Sequence, residues 1–404
     1  VWLIIFVLVY WGYCIYWGIK GAIAARTATD YMVAGRSIPL WVFVLAATAT
    51  SFSGWTFVGH PGLIFRDGFQ YAYASFYTIT IPFTGVMFLK RQWMLGKRFG
   101  YVTPGEMLSD YFKGDGVRVL TVVVALFFSI PYLGVQLRAS GFLFNVLTDG
   151  ALSVNVGMWM LSIVVFIYVA SGGLRAVAYV DTLQCILLAL GITAIGFIGL
   201  DAVGGWANLK ANIITLVQND TKITPDGYSH YIAIPGVIQF VSSGPSAAGG
   251  AWTGMMVLTY MFALMGIQSA PAFSMWSFGN KNPEPFAPQQ VWASSAGIGF
   301  ILFFFTAIQA FAGHFLGGDK VMIDAGVGTN VFGVESWSAK TGLFSQGNLV
   351  PEMINLMGST TPWLVGLLAV CALAAMQSTG AAYMSTAGSM LTRDLYKHFI
   401  NKEA

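Results

Sequence analysis

The chain has 404 residues, 56% of them hydrophobic and 9% charged, with a mean hydropathy of +0.69 and a formal net charge of +3. Soluble domains carry roughly 25% charged residues, which excludes a soluble globular fold. The small positive charge is a matter of membrane topology, and the Trp and Tyr content suits interfacial belts and not nucleic-acid stacking.

A membrane-spanning helix needs about 20 apolar residues. Nine stretches qualify, near 1–19, 39–65, 69–89, 119–147, 153–171, 176–200, 251–278, 291–316 and 360–392. All are too long for membrane β-strands, so the expected fold class is an all-α integral membrane protein.

The first stretch stands apart, followed by a polar loop from Arg26 to Ser37. The second carries Ser53-Gly54-Trp55 and then Gly59-His60-Pro61-Gly62. That interrupts the helix, and an interrupted helix survives in a bilayer only where its freed amides and carbonyls line a cavity. Beyond the third stretch, Thr103-Pro104-Gly105-Glu106 reads as a capped helix start lying along the cytoplasmic face. The fourth contains Tyr132, Gln136 and Arg138. A buried amide such as Gln136 needs partners; Arg138 either snorkels to the interface or attracts an anionic solute.

Between the fifth and sixth stretches lies Gly172-Gly173-Leu174-Arg175, with Asp181 just beyond. An acid within a membrane span faces an interior path by default; its plainer reading is an ion pair with Arg175. The polar stretch 201–250 contains a short surface helix near Trp206 to Val217, and another is expected near Pro351 to Met357. The seventh stretch carries Gly266-Ile267-Gln268-Ser269-Ala270-Pro271, a second interruption. In the ninth, Ala382, Ser385, Thr386 and Ser389 share one helix face. They form either a small-residue packing seam with hydroxyls bonded to the preceding turn or part of a sodium site. In the second case the Ser385 and Thr386 hydroxyls join the Ala382 carbonyl and carbonyls freed around Ala49 and Phe52, since a hard cation wants about five or six oxygens.

With the N-terminus outside, the inner loops hold 14 Lys and Arg and the outer loops 5. The expectation is a multi-pass plasma (inner) membrane protein in that orientation. Stretches two and seven lie five spans apart and so run in opposite directions, as in an inverted five-helix repeat. The chain reads as one transmembrane transporter domain: a peripheral helix at 1–19, repeat one at 39–203 and a partial repeat two at 250–393, with the last two core helices missing from the sequence. Paired interruptions point to a transporter's solute site. Its candidates are Ser53, Gly54, Trp55, Gly59, Gln268 and Pro271, with Tyr132 and Gln136. Cys14, Cys185 and Cys371 lack metal or redox spacing and read as packing residues, as do His60 and His314.

Four stretches carry a resemblance: Ala34-Gly35-Arg36-Ser37; Ser53-Gly54-Trp55 with Gly59-His60-Pro61-Gly62; Gly172 to Val177 with Asp181-Thr182-Leu183-Gln184; and Ala382-Tyr383-Met384-Ser385-Thr386 running on to Arg393-Asp394-Leu395-Tyr396. In their order and spacing the chain resembles the sodium/solute symporter family, the group of the proline, pantothenate, sialic-acid and glucose symporters. The resemblance implies the leucine-transporter-type fold and sodium-driven uptake by alternating access, with no enzymatic activity. It implies a sodium site of the Ala49 and Phe52 carbonyls, the Ala382 carbonyl and the Ser385 and Thr386 hydroxyls. In sialic-acid-type relatives the aspartate helps bind an additional sodium, here Asp181 with Ser385, Thr386 and Ser389. Ser51-Phe52 and Ala270-Pro271 depart from the proline-type and sugar-type patterns, leaving a monocarboxylate or small amino acid as the favoured solute. The other reading is a transporter-like sensor domain fused to or associated with a signalling module, which the sequence past Ala404 would decide. The partners expected are sodium, a small organic solute and the lipid bilayer, with no nucleic acid.

Overall fold

The computed structural model describes residues 1–69, 71, 77–218, 254–339 and 341–403. Parts of the stretches expected at 69–89 and 251–278, most of the outer stretch 201–250, and Lys222 and Lys340 of the outer charge count lie outside them. The described residues are predominantly helical and form no named strand.

The chain opens with α1 (Trp2–Ala24) and a short α2 (Ala28–Met32). Thr27 and Asp30 start α2 with a reciprocal capping box. The first interrupted span follows as α3 (Leu40–Ser51), a π-helical turn Trp55–Gly59 and α4 (His60–Asp67). Its two halves are bent by 55°. Next come α5 (Tyr77–Phe99) and α6 (Pro104–Phe112). The expected cap of α6 forms: Thr103 Oγ1 accepts from the Glu106 amide at 3.2 Å, while the Glu106 carboxylate accepts from the Val102 amide at 2.8 Å.

α7 (Asp115–Leu147) and α8 (Val154–Ala202) are long. A straight helix of 49 residues would reach about 74 Å, more than twice the roughly 30 Å of a hydrocarbon core. Gly173, at φ 56° and ψ −156°, breaks α8 into the two spans expected on either side of it. α9 (Trp206–Gln218) is the expected surface helix. The second interrupted span is α10 (Gly254–Ile267) and α11 (Pro271–Gly279). A π-helical stretch Pro288–Gly299 then leads into α12 (Phe300–Gly313). Short α13 (Lys320–Asp324) and α14 (Leu349–Asn355) occupy the loop that the sequence reading placed on the outer side. α15 (Pro362–Met390) continues as a π-helical turn through Leu391–Ile400.

Among the described residues five helices are long and apolar enough to cross a membrane, six with the bent pair α3–α4. The sequence predicts nine because α8 carries two spans as one helix, and α5 and the α10–α11 pair adjoin residues outside the description. α15 is the central element, buried along most of its length against α8, α7, α1 and α3. α1 packs on the break of α8 through glycine: a Cβ on Gly21 would lie 2.6 Å from the Gly172 carbonyl oxygen.

Three of the basic residues assigned to the inner side, Arg36, Arg175 and Arg393, tie separate segments together. Arg36 donates to the Phe278 and Tyr101 carbonyls, Arg175 to the Ala34 carbonyl, and Arg393 to Glu106. All three cysteines are buried thiols.

Candidate functional site

α3 ends because Phe52 takes an extended conformation (φ −115°, ψ 109°) where the next residues would continue the helix. Three amides are freed, and side chains meet them. Thr56 Oγ1 accepts from Ser53 N at 3.2 Å, Gln136 Oε1 from Gly54 N at 2.7 Å and Ser53 Oγ from Trp55 N at 3.2 Å. Gln136 thus finds the partners that its burial requires, its own amide donating to the Tyr132 carbonyl. Gly54 permits this fit, since a Cβ there would lie 2.7 Å from Met376 and 2.9 Å from Gln136.

The last carbonyls of α3 face α15, that of Ala49 while also accepting from the Phe52 amide at 3.2 Å. Ser378 Oγ lies 3.0 Å from the Ala49 carbonyl oxygen and 3.1 Å from that of Ala375, and Thr379 Oγ1 lies 3.2 Å from the Thr50 carbonyl oxygen. The sequence expectation set Ala382, Ser385 and Thr386 against Ala49 and Phe52; the hydroxyl that bonds the Ala49 carbonyl is that of Ser378. Thr386 bonds back to the Ala382 carbonyl at 2.9 Å, as a packing seam would, and the buried Ser385 and Ser389 hydroxyls have no partner among the described residues. The cause is periodicity. Seven residues make almost two full turns, so Ser378-Thr379 and Ser385-Thr386 share a face while differing in depth by about 10 Å. A face argument cannot choose between them; the repeated Ser-Thr pair itself was the available signal.

Asp181 is fully buried, with Oδ2 accepting from Thr50 Oγ1 at 3.4 Å and Oδ1 without a partner among the described residues. It makes no pair with Arg175, which reaches Ala34 and Ser37 instead. Asp181 therefore sits at the level of Thr50 and Thr379, about two turns from the Ser385, Thr386 and Ser389 set proposed to share a second cation with it. On α15 the residues one turn beyond Ser378 are Ala381 and Ala382, which carry no hydroxyl.

The second break lies beside the first. Gln268 donates to Ser51 Oγ at 3.1 Å and accepts from Gln290 at 3.1 Å; Trp276 Nε1 donates to Thr50 Oγ1 at 3.1 Å. The same threonine thus touches α8, α11 and α15 through its side chain and carbonyl.

A cavity of about 360 Å³ lies beside the first break. Gly54, Trp55 and Gly59 line one wall, Arg138 and Ala139 of α7 another, and Gln346 of the outer loop covers it. Gly59 lets the Trp55 ring lie flat, because a Cβ would come 3.0 Å from it. Arg138 is exposed at the mouth, 5.6 Å from the Phe142 ring centroid. Of the expected solute residues, Gly54, Trp55 and Gly59 line this cavity. Gln136 stands just behind it. Ser53, Tyr132, Gln268 and Pro271 do not line it; Tyr132 packs edge-on against Tyr383. A larger cavity of about 490 Å³ near Pro82 and Phe300 is lined almost wholly by apolar groups and touches neither break, so it offers no chemistry for a polar solute.

His60 and His314 are part of packing networks. His60 Nδ1 is 3.0 Å from Thr306 Oγ1, and His314 lies between Asp319 at 2.7 Å and the Phe65 carbonyl at 2.8 Å.

Residues 31–265 match the model of the sodium:solute symporter family. Over 195 residues the chain is 28% identical to the sodium/proline symporter of Escherichia coli (strain K12), covering 46% of this chain and 37% of that protein. It is 25% identical over 238 residues to the monocarboxylate transport permease protein of Rhizobium johnstonii, covering 58% and 46%. The matches thus span less than half the length of these two relatives. Among solved structures, the substrate-bound outward-open state of a Na+-coupled sialic acid symporter superposes with a TM-score of 0.72 at 15% identity, covering 99% of this chain and 75% of that one. At that identity the match speaks to the fold, which is of the leucine-transporter type.

Proposed function

The chain belongs to the sodium:solute symporter family, and on that premise we propose that it carries a small monocarboxylate across the plasma membrane, coupled to sodium and by alternating access. The observation that carries the solute class is Arg138, whose guanidinium stands at the mouth of a cavity walled by Gly54, Trp55 and Gly59. A guanidinium fits a carboxylate with paired, charge-assisted hydrogen bonds. The cavity lining includes no acid to balance a cationic solute.

Sodium is cargo and driving ion. Its cage is assigned to the carbonyls of Ala49, Phe52 and Ala375 and the hydroxyls of Ser378 and Thr379. The Ala49 and Ala375 carbonyls already converge on Ser378, and a hard cation wants such an oxygen set. Binding there draws the end of α3 onto α15. The same chain segment, two to three residues on, forms the cavity wall, so an ordered break favours the solute and the solute favours the ion. With the basic end of the molecule cytoplasmic and the N-terminus outside, low internal sodium releases both after the rocking step.

The test is uptake of labelled C2–C4 monocarboxylates into proteoliposomes holding the purified chain. Expected are accumulation driven by an inward sodium gradient, loss of sodium dependence in Ser378→Ala/Thr379→Ala, and retention in Ser385→Ala. Arg138→Ala should raise KM about 10-fold or more, as the loss of one charge-assisted pair of about 1.5–3 kcal/mol implies. Uptake that is unchanged when K⁺ or choline replaces Na⁺, or intact in the Ser378/Thr379 double variant, overturns the reading.

A further inference from the structure

At the end of the molecule opposite the solute cavity, a second cavity of about 340 Å³ is lined by Glu106, Arg118, Arg393, Lys397, His398 and Lys402. Its construction is specific. Arg393 Nε donates to Glu106 at 2.6 Å, and that carboxylate also caps the Val102 amide. Arg118 donates to Ser109 Oγ at 3.1 Å and lies 3.8 Å from Asp394, itself held by Thr103 Oγ1 at 2.9 Å. His398 Nε2 lies 2.8 Å from Asp115. Glu106 is held by Arg393, Asp394 by Thr103 and Arg118, and Asp115 by His398, and Lys397 and Lys402 also line the cavity. The cavity holds a net positive charge even with the flanking Asp394 and Asp115 counted.

The rim is apolar. Tyr396, Phe399 and Ile400 on the Leu391–Ile400 turn are 45%, 48% and 74% exposed, and Tyr111 and Phe112 at the end of α6 are 77% and 61% exposed. A cationic hollow bordered by exposed aromatic and aliphatic side chains matches one kind of partner: a charged headgroup whose tails continue along an apolar surface. A free anion would use the cations and leave the rim without a role.

We propose that this cavity is a binding site for the phosphodiester headgroup of an anionic phospholipid of the cytoplasmic leaflet, with Arg118, Lys397 and Lys402 on the phosphate and the Tyr396–Ile400 and Tyr111–Phe112 surfaces against the acyl chains. The inference rests on the membrane orientation argued above and not on the identity of the transported solute. Its structural consequence is a clamp: the lipid bridges α6, the base of α7 and the continuation of α15, the helix that carries Ser378 and Thr379.

The experiment is a thermal-unfolding titration of the detergent-purified, delipidated chain with dihexanoyl phosphatidylglycerol, dihexanoyl phosphatidylcholine and inorganic phosphate, each below the micellar concentration. Phosphatidylglycerol should raise the unfolding temperature saturably, while the other two should not. Lys397→Gln/Lys402→Gln should bind phosphatidylglycerol roughly 30-fold more weakly, two cations' share at a membrane surface. The double variant should still be stabilised by sodium like the parent, which shows that it folds and separates this test from that of the sodium cage. Equal stabilisation by phosphatidylcholine, or an undiminished response in the double variant, refutes the site. An equal shift with inorganic phosphate refutes the lipid assignment.

Discussion

Glu352, half-buried on α14 in the outer loop, carries the clearest titration consequence outside the membrane spans. Burial pushes its carboxyl up to about 7, the Asp149 charge adds to the rise, and a hydrogen bond with Asn355 opposes it. The folded protein therefore binds this proton more tightly than the unfolded chain does. The stabilisation is fully present below the ordinary glutamate range and is lost as pH rises through about 7. Glu352→Gln, which cannot lose a proton, should unfold at a higher temperature than the parent at pH 8 and show no such advantage at pH 4.5. Melting curves at the two pH values check this, and an advantage of equal size at both removes the titration as its cause.

At the scale of single elements, α8 shows how one residue sets a topology. Gly173 adopts φ 56° with ψ −156°, open to glycine and strained for other residues. A Cβ there would also lie 2.3 Å from the Tyr31 carbonyl oxygen. Gly173→Ala should cost about 1–3 kcal/mol from backbone strain alone, with more from the clash. The measurable result is a lower unfolding temperature in detergent, whereas Gly116→Ala, where a Cβ meets nothing within 4 Å, should leave it near the parent value. α6 makes the complementary point. Thr103 caps it through one oxygen that also donates to Asp394 at 2.9 Å, so the local start signal doubles as a tertiary tie to the end of α15.

Across the whole molecule, the two broken spans communicate by direct contact. Gln268 of the second break holds Ser51 of the first, and Trp276 holds Thr50, whose carbonyl receives Thr379. These bonds cross from one half of the chain to the other beside the proposed ion cage and the cavity at the first break. If the coupling is routed through them, Gln268→Leu should lower the factor by which a monocarboxylate improves sodium affinity, and lower the reciprocal factor equally. Coupling in such systems is typically 5–150-fold. Titrating Trp fluorescence with sodium, with and without solute, measures it; an unchanged factor places the coupling elsewhere.

Much of this was legible in the residues themselves. Apolar runs of bilayer length set the helical membrane class, Gly-Pro clusters marked both breaks, and Thr103 with Glu106 announced α6, because each depends on local hydrogen bonding or on length alone. What the linear order left undecided is depth and neighbourhood. Ser378-Thr379 and Ser385-Thr386 lie on one helix face two turns apart, and only the packing of α3 against α15 selects the upper pair for Ala49. Arg138 could have pointed away from the first break until α7 was set beside Trp55 and brought it to the cavity lining. Asp181 could have paired with Arg175 until the kink at Gly173 sent the arginine to Ala34. Local sequence dictates which backbone groups are freed; the tertiary contacts decide which side chains, from more than 300 residues away, arrive to use them.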